Sequence, residues 1–305
     1  MVLQPAEKSK LVALIQSSKK LASSQLLRAI VNSDSKEANR LMGVLASNLL
    51  DEYVAQGNSA NPPFDVKMLA KMRRVLEISR TNSESPGRLV PAEGGFCIFI
   101  GGSESDRSPF SPREVFTCAH EIGHTFFYDL EAPIPILLTK KIYLPKAQIE
   151  QLCDSFAAQL LLPDRHLRKS QLATQFTHKS VQETLRIFNV SLETLLIRCR
   201  EIDLKIPTRH IVILFKRSDD RENALEASTS LINAPVPIRV PRGSKPYQLG
   251  LRYVSGRGKP VQQMEELRFP SRLPQQKRVE FTCYVQYCEY GARYLLVVAK
   301  ILSRT

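Results

Sequence analysis

An α+β chain is predicted by three features of this 305-residue sequence. Apolar residues recur at helical spacing over residues 6–56 and again around residue 150. A short apolar run, Gly95-Phe96-Cys97-Ile98-Phe99-Ile100, begins at a glycine and ends just before another, shortly ahead of a strong helix start. Past residue 206 the pattern becomes continuous apolar runs, HIVILF and YLLVVAKI, punctuated by Pro and Gly, which reads as strands.

In chain order, Leu11, Leu14, Ile15, then Leu26, Leu27, Ile30, then Ala38, Leu41, Leu45 and Leu49 predict a helical N-terminal region, residues 1–56. The stretch GNSANPP, 57–63, breaks it. A short helix is expected from Phe64 to Ile78, then a polar turn from Thr81 to Gly87, the strand at 95–100, and a loop rich in Ser, Asp and Pro from Gly101 to Pro109. Ser111-Pro112-Arg113-Glu114 has the form of a capping box with Pro at the first helical position, so a helix should start there. A second strong helix is expected from about Lys146 to Leu162, stopping at Pro163. These elements define a core domain at 57–165. Residues 166–205 read as a helical, helix-turn-helix-like module, in which Phe188-Asn189-Val190-Ser191 is a turn and Ser191 an N-cap. Residues 206–305 are expected to form a β-rich or α/β C-terminal domain.

Composition narrows the class. A hydrophobic fraction of 43% supports at least one sizeable core. No apolar run reaches the ~18 residues of a membrane span. The N-terminus, MVLQPAEKSKLVALIQSSKK, has broken apolar stretches and no small-residue cleavage site, so no signal peptide is expected. Six cysteines, at 97, 118, 153, 199, 283 and 288, form no C-x-x-C pair; reduced thiols in the cytoplasm are expected rather than a disulfide scaffold. The net charge of +13 is uneven: residues 206–305 hold 17 Lys/Arg against 8 Asp/Glu, and residues 1–205 hold 26 against 22. The scattered excess reads first as a solvated surface, and second as one that attracts nucleic acid or an acidic partner.

The chemistry sits in His120-Glu121-Ile122-Gly123-His124. Two histidines four apart share one helix face and can bind one ion, and zinc suits imidazole donors in a tetrahedral set. Glu121 can reach a water beside the ion rather than the ion itself. Val115, Ala119, Ile122 and Phe126 supply an apolar spine, and Gly123, which costs ~1 kcal/mol in a helix, leaves room for another backbone. A catalytic zinc needs a third protein ligand and an open position. The best placed is Glu150, at the edge of the apolar face formed by Ile149, Leu152, Cys153, Phe156, Ala157, Leu160 and Leu161. Asp154, one turn on, could accept the N–H of a ligating histidine. Asp129, Glu131 and His166 are alternative third ligands; neither His178 nor His210 sits in a pattern that aims it at the pair.

Residues 86–130, PGRLVPAEGGFCIFIGGSESDRSPFSPREVFTCAHEIGHTFFYDL, resemble the metallopeptidase core of the ImmA/IrrE family. Arg113, Phe116, Thr117, Ala119, His120, Glu121, Gly123 and His124 fill its helix pattern. Glu150, Asp154, Phe156, Ala157, Leu160, Leu161 and Pro163 fill a later one, with Cys153 where Ala is usual. Val190-Ser191 and Arg198 resemble a segment that follows the core. The resemblance implies a zincin-like core at 57–165, His120, His124 and Glu150 as zinc ligands, and Glu121 as catalytic base. It also implies a narrow substrate: a cytoplasmic helix-turn-helix repressor, cut in a stress or mobile-element response. Some relatives carry a GAF-like sensor at the C-terminus, and residues 206–305 have a suitable length.

The expected activity is therefore a zinc-dependent endopeptidase, with the strand Phe96 to Ile100 pairing with an extended substrate at a sheet edge. The rival is a DNA-binding transcriptional regulator in which the metal is structural. LRIFNVSLETLLIRCR, 185–200, looks like a helix-turn-helix, but its second helix offers only Arg198 and Arg200 to phosphates and no Asn, Gln or Lys to base edges. A third possibility, a metal-bound but idle scaffold, differs only in whether Glu121 does chemistry.

Overall fold

The computed structural model describes residues 29–30, 33–103, 108–138, 144–174, 176–202 and 204, and the backbone of five strands between 210 and 304. The helical expectations on Leu11 to Leu27 lie outside the described residues. Two compact units emerge: one runs to Asp164 and takes in 187–190, and the other holds 165–186 and the chain from Ser191 on.

In the first unit, helix α1 (Ser35–Ala55) is capped by Asp34, whose side chain accepts the Glu37 N–H at 2.8 Å. Its periodic face, Ala38, Leu41, Met42, Leu45, Ala46, Leu49, Leu50 and Tyr53, is buried. Helix α2 (Val66–Met72) is shorter than its apolar spacing predicts. Arg74 takes a left-handed φ of 63°, and its carbonyl accepts the Phe96 N–H at 2.9 Å. The chain then continues as strand β1 (Val75–Thr81), so the helix expected as far as Ile78 is corrected: pairing with a distant strand overrides local periodicity.

Strands β2 (Gly87–Ala92) and β3 (Gly95–Gly101) complete a three-stranded sheet in the order β1-β3-β2, with β3 parallel to β1 and antiparallel to β2. β3 is therefore the central strand, paired on both sides, and cannot receive a substrate at an edge as the sequence suggested. The edge is β2. Gly101 N–H donates to Pro86 O at 3.0 Å. By the alternation of an antiparallel ladder, Arg88 and Val90 then bond to β3, and the backbone of Gly87, Leu89 and Pro91 faces outward.

Phe96, Ile98 and Ile100 of β3 are buried, and helix α3 (Pro112–His124) packs against β2 and β3. After a 3-10 turn at Thr125–Phe127, the two-residue strands β4 (Tyr128–Asp129) and β5 (Ile136–Leu137) pair antiparallel. Helix α4 (Lys146–Leu161) packs on both α1 and α3, burying Leu152, Cys153, Phe156, Ala157, Leu160 and Leu161.

The second unit contains the short helices α5 (Asp164–Leu167), nearly all of it, and α6 (Gln171–Thr174), most of α7 (His178–Phe188), and α8 (Leu192–Glu201). Ser191 Oγ accepts the Thr194 N–H at 3.1 Å, the cap that the sequence predicts. Leu195, Leu196 and Cys199 are buried. Arg198 is only 6% exposed and pairs with Glu201 at 3.3 Å, so it is part of the packed helix and not available to a phosphate; this corrects its reading as a DNA contact. Five strands, β6 (His210–Arg217), β7 (Leu225–Ile232), β8 (Gln263–Phe269), β9 (Val279–Tyr290) and β10 (Tyr294–Arg304), form an antiparallel sheet in the order β7-β6-β10-β9-β8. The HIVILF and YLLVVAKI runs are neighbours in it, as β6 and β10.

Candidate metal centre

Helix α3 is fixed at both ends. Ser111 Oγ accepts the Glu114 N–H at 3.3 Å, and Glu114 Oε2 accepts the Ser111 N–H at 2.8 Å, which makes the capping box reciprocal. Glu114 also pairs with Arg80 of β1 at 2.5 Å, and this hydrogen bond holds its carboxyl below the usual range. The start of the helix is thus tied to the sheet. At the far end, Arg73 Nε donates to Thr125 Oγ1 at 3.1 Å and its guanidinium lies 3.8 Å from the Phe126 ring centre. Burial lowers the pKa of Arg73 to about 10, so it remains a cation beside the helix C-terminus, where the dipole favours one.

Inside the helix, Gly123 lets α4 come close. A Cβ there would lie 3.3 Å from Cys153 Cα and 3.2 Å from Phe156 Cδ1, so the missing side chain sets the spacing of the two helices that carry the candidate donors.

His120 and His124 meet on one face with Nε2 atoms 3.1 Å apart. Glu150 Oε2 lies 3.1 Å from His120 Nε2 and 3.5 Å from His124 Nε2. Asp154 Oδ1 sits 2.7 Å from His120 Nδ1. A protonated Nδ1 donating to Asp154 leaves the Nε2 lone pair of His120 turned toward the other two donors. Three donor atoms at 3.1, 3.1 and 3.5 Å compare well with the ~3.3 Å edge of a tetrahedron built on bonds of ~2.0–2.1 Å. The residues fit a small divalent cation.

The electrostatics agree with that fit. Burial alone would lower the pKa of His120, but the hydrogen bond and charge of Asp154 outweigh it and the value rises. His124 is pushed well down, by burial first and by His120 second. The Cys153 sulfur falls in the same cluster, within 4.8 Å of the histidine donors. Its thiol is buried, and burial, then the charges of Glu150, Glu121 and Asp154, push its pKa well up, so it stays protonated. The Glu150 oxygen, at 3.1 and 3.5 Å from the two nitrogens, is the better third donor. Cys153 was not among the metal donors read from the sequence.

Glu121 is only 5% exposed and close enough to His120 and Glu150 to feel both charges. Burial raises its carboxyl to about 7; His120 opposes the shift, Glu150 adds to it, and the Leu89 N–H of β2 donates to the carboxylate. Tyr128 packs edge-on against Phe96 with ring centres 5.2 Å apart, and its hydroxyl pKa is raised by burial and then by Glu121. Among the alternatives, Asp129 accepts the Glu131 N–H at 3.0 Å and Glu131 is exposed. His166 lies on α5, in the other unit. The side chains of His178 and His210 lie outside the described residues. What sequence reasoning missed is β2, which contributes a backbone N–H and a missing side chain, neither of which a residue-type motif can display.

Residues 97–200 match the family model of the IrrE N-terminal-like domain, Peptidase_M78. The ImmA/IrrE resemblance read from the sequence is shown over that span. Among solved structures, a Mycobacterium tuberculosis transcriptional regulator is similar with 12% identity and a TM-score of 0.44, over 87% of this chain and 76% of that chain. No curated protein matches the chain.

Proposed function

We propose that this chain, which matches the IrrE N-terminal-like domain over residues 97–200, is a zinc-dependent endopeptidase. The observation that carries the reading is the convergence of His120, His124 and Glu150 within 3.1–3.5 Å, with the buried Glu121 beside them on the same helix. His120, His124 and Glu150 would hold the ion, and Asp154 would fix the tautomer of His120. Bound zinc supplies carbonyl polarisation and lowers the pKa of water toward ~7.

Glu121 performs the proton transfers. It takes a proton from the attacking water and returns it to the leaving amine. Its burial keeps bulk water from competing for that proton. β2 is the sheet edge whose Leu89 N–H reaches Glu121, so an extended peptide segment aligned along β2 presents its backbone beside the base.

The proposed substrate is a helix-turn-helix repressor, as the family resemblance implies, with residues 206–305 as a regulatory domain and the cytoplasm as the site of action. No described helix is long and apolar enough to cross a membrane. The test is a comparison of new protein N-termini in extracts of the native host treated with the zinc-loaded wild type or with Glu121→Gln. N-termini that appear only with the wild type, and that map to one or a few proteins, support the reading; identical sets from the two proteins overturn it.

A further inference from the structure

The carboxylate of Glu121 is held by an element that does no chemistry of its own. At Gly87 an ideal Cβ would lie 2.6 Å from Glu121 Oε1 and 2.4 Å from Thr117 Cγ2, both too close for contact. Two residues along the same strand, the Leu89 N–H donates to the same carboxylate. Gly87 thus meets the carboxylate from the face of the strand and Leu89 from its edge.

Gly87 is not among the residues of positive φ, which include Gly57 and Gly94. The backbone there does not need glycine; the space does. Of the two groups in the way, Thr117 is β-branched, but a helical threonine has two χ1 wells, so its Cγ2 can turn aside. The Glu121 carboxylate ends a flexible chain and gives way too. A methyl at position 87 must therefore move both groups: the Thr117 side chain, which can turn about its own Cα–Cβ bond, and the Glu121 carboxylate, which has no other way to clear it.

We infer that Gly87 is a positioning residue for Glu121: by lacking a side chain it fixes where the carboxylate stands relative to the ion. The inference rests on the peptidase reading, and it makes β2 a second determinant of the base, separate from the metal donors.

The experiment uses the full chain loaded with cobalt(II) in place of zinc, and acetohydroxamate as the probe. This small chelator binds the ion and also hydrogen-bonds to a carboxylate in the position of Glu121. In Gly87→Ala, metal content should match the wild type, and the melting temperature should fall only by the cost of turning Thr117 aside. Acetohydroxamate, followed by the cobalt absorption spectrum, should bind about tenfold more weakly or worse, as a lost hydrogen bond to a charged group predicts, and Glu121→Gln should show a similar loss. Wild-type affinity in Gly87→Ala overturns the inference. A crystal structure of Gly87→Ala decides the point independently: a displaced carboxylate supports it, and a rotated Thr117 beside an unmoved Glu121 overturns it. If Gly87→Ala folds poorly, Gly87→Ala/Thr117→Ser removes the methyl contact and leaves only the carboxylate to respond. A wild type that takes up no metal defeats the peptidase reading, and the crystal comparison still decides the role of Gly87.

Discussion

Two walls of the candidate site, helix α3 and strand β2, contribute in opposite ways. α3 acts through side chains: His120, Glu121 and His124 project from it, and its caps fix their height. β2 acts through its backbone and through absence: the Leu89 N–H holds a carboxylate, and Gly87 makes room for it. The first kind of contribution is written in residue types at helical spacing. The second exists only once the strand has been placed beside the helix.

The sharpest way to break that division is to remove a donor from α3. His120→Ala or His124→Ala is expected to take bound metal from about one ion per chain to none, measured by elemental analysis. A chain that kept its ion would show that the donors lie elsewhere. Next comes Glu121→Gln, which should keep the metal and lower cleavage by ~10²–10⁴, the usual worth of a general base. If zinc were lost as well, Glu121 would be a ligand and β2 would have no base to position.

Asp154→Asn should weaken metal affinity by ~10–100-fold in a competitive chelator titration, because His120 loses the charged acceptor that fixes its tautomer. In the metal-free protein, pH tests the burial of Glu121, which outweighs the opposing pull of the Leu89 N–H. Folded Glu121 keeps its proton to about pH 7, whereas an unfolded chain releases it near 4.5. Its contribution to stability is therefore full below that lower value and lost as pH rises through the higher one, on the order of 3 kcal/mol in all. Urea denaturation across the window should show the decline in the wild type and a flatter profile in Glu121→Gln. Smallest of all, Ser111→Ala should cost ~1 kcal/mol of unfolding free energy without changing metal content, since it removes a helix cap and no donor.

The same contrast explains what could be read from the sequence. The start of α3 was legible because Ser111, Pro112 and Glu114 are a local signal. The approach of Glu150 and Asp154 to the histidine pair was legible because an amphipathic helix shows which edge borders its neighbour. β1 was misread because Val75 to Ile78 continues the apolar spacing of α2, and only the left-handed Arg74 and pairing with β3 turn it into a strand. β2 went unread because Gly87 and Pro91 are strand breakers by composition, tolerated here because the strand has a free edge. β3 was recognised as a strand, but an apolar run does not reveal how many neighbours it has. Beyond residue 206 the runs that became β6 and β10 were legible as strands, while their adjacency, joining segments far apart in the chain, was not.

Pro91 carries one more consequence. It occupies an outward-facing position on β2 and has no N–H to offer. A chain that docks along this edge finds no donor at Pro91 and one already committed to Glu121 at Leu89, so its register is narrowed before a single side chain is read. The same gap makes this rim a poor template for strand addition by a second copy of the protein.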